Sequence, residues 1–321
     1  MNRERMLEMC RRGQWKAEDL DWSVPPRPMS RDEEMAVVQY FVDMSGIELL
    51  AGALFEEQAK RVTDPTLKGI FESFVEDEIR HSEVAMRLAR YYDVHKYKTY
   101  ELNPDLVKFK PHFVAAVRYF SAEIANVYIT TGELILDVAL LRSLNDYVHD
   151  TMSERAMDLI NRDESRHIAV DFHMTEFYAS KQYQDWLAKQ PKRSLAAELQ
   201  AWKAFLLMMY YAKPFLMAVF FEPMDRVDPT GRRIKEAFKR IQLLGQKPEV
   251  AARPFSRFMT GVRYVAAHPL LGPLFGQAAV RIAGVPQHLM GDLFTEDEAA
   301  RAMRMSYDEL AEEAIGAKLV A

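Results

Sequence analysis

Apolar residues return every three or four positions through four long stretches of this chain. That is the spacing of helices that bury one face, and sustained alternation is absent. Start signals punctuate the pattern. Ser30-x-x-Glu33, Thr151-x-x-Glu154 and Thr295-x-x-Glu298 each read as a capping box ahead of a periodic run. Asp64-Pro65 and Lys110-Pro111 set proline where a first helical turn tolerates it. The pattern predicts helices over about 31–62, 65–92, 111–146 and 152–178. The first two meet at VTDPT and the last two at NDYVHDT, joints short enough for antiparallel hairpins. Between the hairpins, DVHKYKTYELNPDLVKFK can cross the length of a bundle. The expected fold is all-α, a four-helix bundle of two hairpins joined by one long crossover, with additional C-terminal helices. Residues 1–30 read as an N-terminal extension, 31–182 as the bundle, and 183–321 as helices packed on it as one domain.

Two of these helices repeat a charged pentad. Asp77-Glu78-Ile79-Arg80-His81 returns 86 positions later as Asp163-Glu164-Ser165-Arg166-His167. On a helix, Glu at i and His at i+3 share a face. A lone Glu-x-x-His arises by chance about once in a chain of this size and is usually solvated. The sharper test lies across each hairpin. Reflected through the turns, Glu78 meets Glu48 and Glu164 meets Glu133. Helix rise puts Glu48 about 21 Å and Glu78 about 20 Å from their shared turn, so they stand at one height. Both halves read Glu-x(28 or 29)-Asp-Glu-x-Arg-His.

Glu48, Glu78, His81, Glu133, Glu164 and His167 thus form a predicted set of four carboxylates and two imidazoles, enough to hold two metals inside a bundle. Mixed oxygen and imidazole donors suit iron or manganese better than zinc. Asp77 is placed to support His167 across the bundle and Asp163 to support His81, while Arg80 and Arg166 balance the charge. Asp137 and Asp171 each follow a predicted ligand by one turn and face the same way. Gly52, one turn after Glu48, would leave room beside the metals. Glu123 turns off this face and reads as structural. His95, His112, His149, His173, His268 and His288 lack ligand spacing and read as ordinary histidines.

On these residues the chain, over about 31–180, resembles the ferritin-like, carboxylate-bridged non-heme diiron family. The p-aminobenzoate N-oxygenase type is similar in repeating Glu-x(about 30)-Asp-Glu-x-Arg-His, but has a further histidine where this chain has Ile160. Soluble acyl-carrier-protein desaturases look alike around both pentads. The ribonucleotide reductase radical subunit has Asp as first ligand and Tyr one turn after the first His, where this chain has Glu48 and Ala85. Ferritins proper have no counterpart to residues 181–321. The resemblance implies an O2-activating diiron oxygenase or oxidase that hydroxylates or N-oxygenates a small, largely apolar organic substrate. A carrier-protein-dependent desaturase and a ferroxidase or iron-binding protein are the alternatives. It implies two Fe ions or a Mn/Fe pair as cofactor, O2 as co-substrate, and a homodimer.

Composition adds limits. A formal charge of −5 gives no reason to expect a nucleic-acid partner. Cys10 is the single cysteine, so no intramolecular disulfide forms and a cytoplasmic location is expected. The first 22 residues lack the apolar core of a signal peptide. The apolar runs 204–212 and 264–280 are interrupted by Lys213-Pro214 and by Pro269, Gly272 and Pro273, so no transmembrane segment is expected. Residues 201–221 and 263–280, rich in Met, Tyr, Phe and Leu, are expected either to line an apolar substrate pocket or to make core and dimer contacts. No Gly-rich nucleotide fingerprint stands out, so electrons are expected from an external ferredoxin or reductase.

Overall fold

Helix starts in the computed structural model follow short-range chemistry. It describes residues 1–97 and 99–320; Lys98 in the expected crossover and Ala321 at the end of the C-terminal region lie outside the described residues. Ser30 caps α2 (Arg31–Arg61), accepting from the Glu33 N–H, while the Glu33 carboxylate accepts from the Ser30 N–H at 2.8 Å. Asp64 accepts from the Thr66 and Leu67 N–H groups, both at 2.9 Å, and Pro65 opens α3 (Pro65–Tyr92). Preceding them is α1 (Arg3–Arg12). Among the described residues the chain is all-helical, with no strand.

The third predicted helix begins later than expected. Pro111 lies inside a separate helix, α4 (Pro104–Val117), and α5 (Ala122–Val148) starts where Ser121 accepts from the Ile124 N–H at 3.2 Å. Ser121 has Ile, not Glu or Gln, three residues on, so no capping box marks the boundary. Within α5 the stretch Leu134–Leu141 is π-helical, widening the turn that follows Glu133. The fourth helix, α6 (Thr151–Ala179), is capped by the Asp150 carboxylate on the Met152 N–H rather than by the Thr151-Glu154 box. His149 takes a left-handed conformation (φ 47°) to reverse the chain between α5 and α6.

Helix α2 lies along α3 and α5, and α6 lies along α3 and α5, so these four helices enclose one core. Phe41, Phe55, Phe71, Phe74 and Phe172 fill it. The remaining helices are α7 (Lys181–Leu187), α8 (Leu195–Val227), α9 (Arg232–Leu244), α10 (Pro248–Ala251), α11 (Pro254–Ala267), α12 (Gly272–Ala283), α13 (Glu296–Arg304) and α14 (Tyr307–Val320). Helix α8 packs on α4, α9 on the π-helical stretch, and α14 along α6 and α5. The first 30 residues do more than extend the chain, because α1 packs on both α3 and α6.

The expectation of no transmembrane segment is overturned. Arg31–Arg61, Ala122–Val148 and Leu195–Val227 are each long and apolar enough to cross a membrane. Lys213 and Pro214 do not end α8. The helix runs through them, and a π-helical stretch at Met217–Phe221 follows. In α2 and α5 the most apolar 18-residue window is 72% buried within the protein, whereas in α8 only 28% is.

Phe71 is fully buried and stacks on Phe55 with ring centroids 6.2 Å apart. Phe71→Ala is expected to cost about 3–5 kcal/mol, read as a lowered midpoint in denaturant unfolding; an unchanged midpoint would contradict this packing.

Candidate metal centre

Facing helices bring the pentads together. Glu48 comes from α2, Glu78 and His81 from α3, Glu133 from α5, and Glu164 and His167 from α6. Their donor atoms form two groups, each within 4.8 Å: Glu48, Glu78, His81 and Glu164, then Glu78, Glu133, Glu164 and His167. Glu78 and Glu164 belong to both. All six residues are at most 3% exposed. His81 Nδ1 lies 3.0 Å from Glu164, and His167 Nδ1 lies 2.9 Å from Glu164 and 3.2 Å from Glu78. Both oxygens of Glu48, Glu78 and Glu164, and Nδ1 of both histidines, nevertheless lack hydrogen-bond partners. Buried polar atoms are normally paired, so these unpartnered donors form a group that could hold cations.

Each imidazole is held from behind. His81 Nε2 lies 3.2 Å from Asp163 and His167 Nε2 lies 3.4 Å from Asp77. A carboxylate facing these nitrogens accepts, so Nε2 donates and Nδ1 is the nitrogen turned toward the glutamates. Arg166 donates to Asp163 at 2.7 Å and to Asp77 at 3.3 Å. Arg80 donates to Asp77 and, at 3.2 Å, to Asp163. The two aspartates and two arginines thus lock both pentads into one network.

Sequence reasoning missed what the terminal segments contribute. Trp15 Nε1 donates to Asp163 at 2.7 Å, and Gln14 donates to Asp77 at 3.1 Å. Trp15 stands on Arg80 at 5.2 Å. Phe55 and Phe74 close on the His167 ring at 5.0 and 4.1 Å between centroids. From α14, Lys318 pairs with buried Asp137 and donates to Ser165 Oγ at 3.0 Å and the Asn161 carbonyl at 3.2 Å. No local spacing announces Trp15 or Lys318, since both arrive from more than 140 residues away in sequence.

The other candidates sort differently. A Cβ added at Gly52 would lie 3.3 Å from Glu78 Cβ, so the space there holds a glutamate side chain rather than standing open. Asp171 is fully buried with neither carboxylate oxygen hydrogen-bonded. Glu123 forms a two-pronged bond with Arg253 at 2.7 and 2.5 Å. His95 meets Glu34 at 2.7 Å and His112 stacks on Tyr211, both away from the six donors. A cleft one turn from Glu48, between Met44, Ile47, Leu140, Leu144, Val219 and Pro223, holds about 10 Å³. That is room for a single water.

Electrostatics follow from burial. Desolvation, with Glu78 and Glu164 alongside, raises Glu48 well above the usual carboxylate range. Desolvation and Glu164 also raise Glu78 and Glu133. Burial alone would lower the histidines, but Asp163 and Glu164 raise His81, and Glu164 and Asp77 raise His167. Glu164 is the exception: burial would raise it, but His167 and Glu133 pull it well below its ordinary value. Asp137 is pushed up to about 7 by burial, against the pull of Lys318. Burial likewise raises Asp171.

Comparisons with protein-family models, curated proteins and solved structures find no match to this chain.

Two outcomes follow. Because the raised groups hold protons that a cation must displace, metal affinity should fall as pH drops from neutral, with protons released on binding. Chelator-competition titrations at several pH values check this; pH-independent affinity would contradict it. Asp163→Asn and Asp77→Asn should each weaken metal binding about 10–100-fold, because the amide no longer favours the same imidazole tautomer. Affinities equal to the parent protein would remove the supporting role.

Proposed function

We propose that this chain is a dinuclear metal oxidoreductase built on a ferritin-like four-helix bundle, activating O2 to oxidise a small, largely apolar organic substrate. One observation carries the reading: two donor groups share Glu78 and Glu164, and their buried oxygens and imidazole nitrogens lack hydrogen-bond partners. Glu48 and His81 would hold one metal and Glu133 and His167 the other, with Glu78 and Glu164 common to both. Four carboxylates match the charge of two divalent cations, and the oxygen-rich donor set suits iron or manganese. When bound, a redox-active metal pair supplies the electrons and open coordination positions that O2 reduction needs.

The chain's own part is positional. Asp163 and Asp77 keep Nδ1 of each imidazole aimed inward by accepting from Nε2. Arg80 and Arg166 hold those aspartates ionised, and Phe55, Phe74 and Trp15 keep water from the histidine rings. Asp171, buried, raised in pKa and with neither carboxylate oxygen hydrogen-bonded, can retain a proton near the donors, while Asp137 is held by Lys318. An external reductant would restore the metals after turnover.

A second reading, a ferroxidase without organic substrate, draws support from the small volume of the cleft lined by Met44, Ile47 and Leu140, which has room for about one water. Isotope-labelled O2 separates the two. Protein loaded with Fe(II) should consume O2, and with a reductant should transfer labelled oxygen to, or remove hydrogen from, a member of a panel of small apolar compounds. Iron oxidation and accumulation with no altered compound would favour the ferroxidase. Glu78→Ala and His167→Ala should abolish O2 uptake in either case, and an iron-loaded protein inert to O2 would sink both readings.

A further inference from the structure

Helix α8 carries an apolar face that is left exposed among the described residues. Leu195, Leu199, Trp202, Leu206 and Tyr210 are each more than half exposed. At 100° per residue they fall within an arc of about 80° and run along about 22 Å of helix. The opposite side is committed to the protein. Met208 and Phe215 are buried, Phe215 stacks on Phe109 of α4 at 4.3 Å, and Tyr211 stacks on His112 at 4.4 Å. The helix is therefore held lengthwise and presents one stripe outward. A contiguous exposed stripe of this kind marks an interaction surface.

Charge identifies the occupant. Residues 188–221 and 250–278 hold eight Lys and Arg but a single acid, Glu198, leaving 34 basic and 46 acidic residues elsewhere from the chain's 42 and 47. Within an acidic protein, the segment that carries this exposed apolar helix is thus basic, with Lys189, Lys192, Arg193, Lys203 and Lys213 against Glu198 alone. Lys192, Lys203 and Arg257 form no ion pair among the described residues, whereas Arg253 and Arg263 are committed to Glu123 and Asp292. The neighbouring α4 carries an open cleft of about 520 Å³ lined by Val107, Pro111 and Val114 together with Lys110 and Arg118. A second copy is the poorer fit, because a two-fold contact would set this basic surface against itself. An apolar stripe with Trp and Tyr, surrounded by bases, fits an interface between acyl chains and anionic headgroups.

We propose that α8 docks the protein on an anionic lipid surface, lying along the bilayer with Leu199, Trp202 and Leu206 among the acyl chains. Lys192 and Lys203 meet the headgroups at its edge. The packing of α8 on α4 stays intact, so docking is peripheral.

The test is co-sedimentation of the full-length protein with vesicles, one set of phosphatidylcholine alone and one of two parts phosphatidylcholine to one part phosphatidylglycerol. Binding is expected to the second set and to weaken with added salt. Leu199→Glu and Leu206→Glu should each lower partition about tenfold or more, and Lys203→Glu should lower it less. Both leucines are exposed, so circular dichroism and thermal midpoint should match the parent, as should Met303→Glu, an exposed apolar control away from α8. Trp202→Phe should retain binding. Equal binding to both vesicle sets, no binding, or partition unchanged in the leucine variants would overturn the proposal. So would light scattering that shows a dimer dissolved by the same variants while vesicles bind nothing.

Discussion

Six ionisable side chains with almost no solvent exposure share one small volume, and the rest of the architecture answers to that fact. Four carboxylates taken out of water without counter-charge would be prohibitively costly. Protons on Glu48, Glu78 and Glu133 relieve part of this, and their raised pKa values express it. Two divalent cations would relieve it fully and also engage the unpartnered oxygens and nitrogens. Behind the donors, Asp77 and Asp163 are already neutralised by Arg80 and Arg166. A cation pair would leave the whole assembly uncharged.

Rigidity around the centre comes from the chain's two ends. Segment 1–30 places Gln14 and Trp15 on the supporting aspartates, and α14 inserts Lys318 against Asp137 beside the π-helical stretch. Both contacts join residues remote in sequence, so the centre cannot be complete until N-terminal, central and C-terminal segments have packed. The aromatic rings around His167 then separate it from water.

How much was legible in the sequence depended on range. The starts of α2 and α3 are legible in Ser30, Glu33, Asp64 and Pro65 because capping is a local interaction. The juxtaposition of Glu48 with Glu78 and of Glu133 with Glu164 followed from helix rise and short turns, and the crossed pairing of Asp77 with His167 and Asp163 with His81 from the repeat itself. The start of α5 carries no such signal, because Ser121 caps it without an acid three residues on and Pro111 lies inside α4. The π-helical stretch, Trp15 and Lys318 depend on tertiary contacts that leave no periodic trace. Lys213 and Pro214 read as a break in the sequence, but the packed α8 runs through them, so its full apolar length shows only in the fold.

The most direct test of the central claim is the metal content of anaerobically purified and Fe(II)-reconstituted protein, with its Glu78→Ala and His167→Ala variants alongside. About two irons per chain are expected in the parent, as a six-donor centre of four carboxylates and two imidazoles requires, and fewer in each variant. One zinc per chain, or no metal retained after reconstitution, would contradict the account and leave the twin pentads as buried ion-pair networks joining helices.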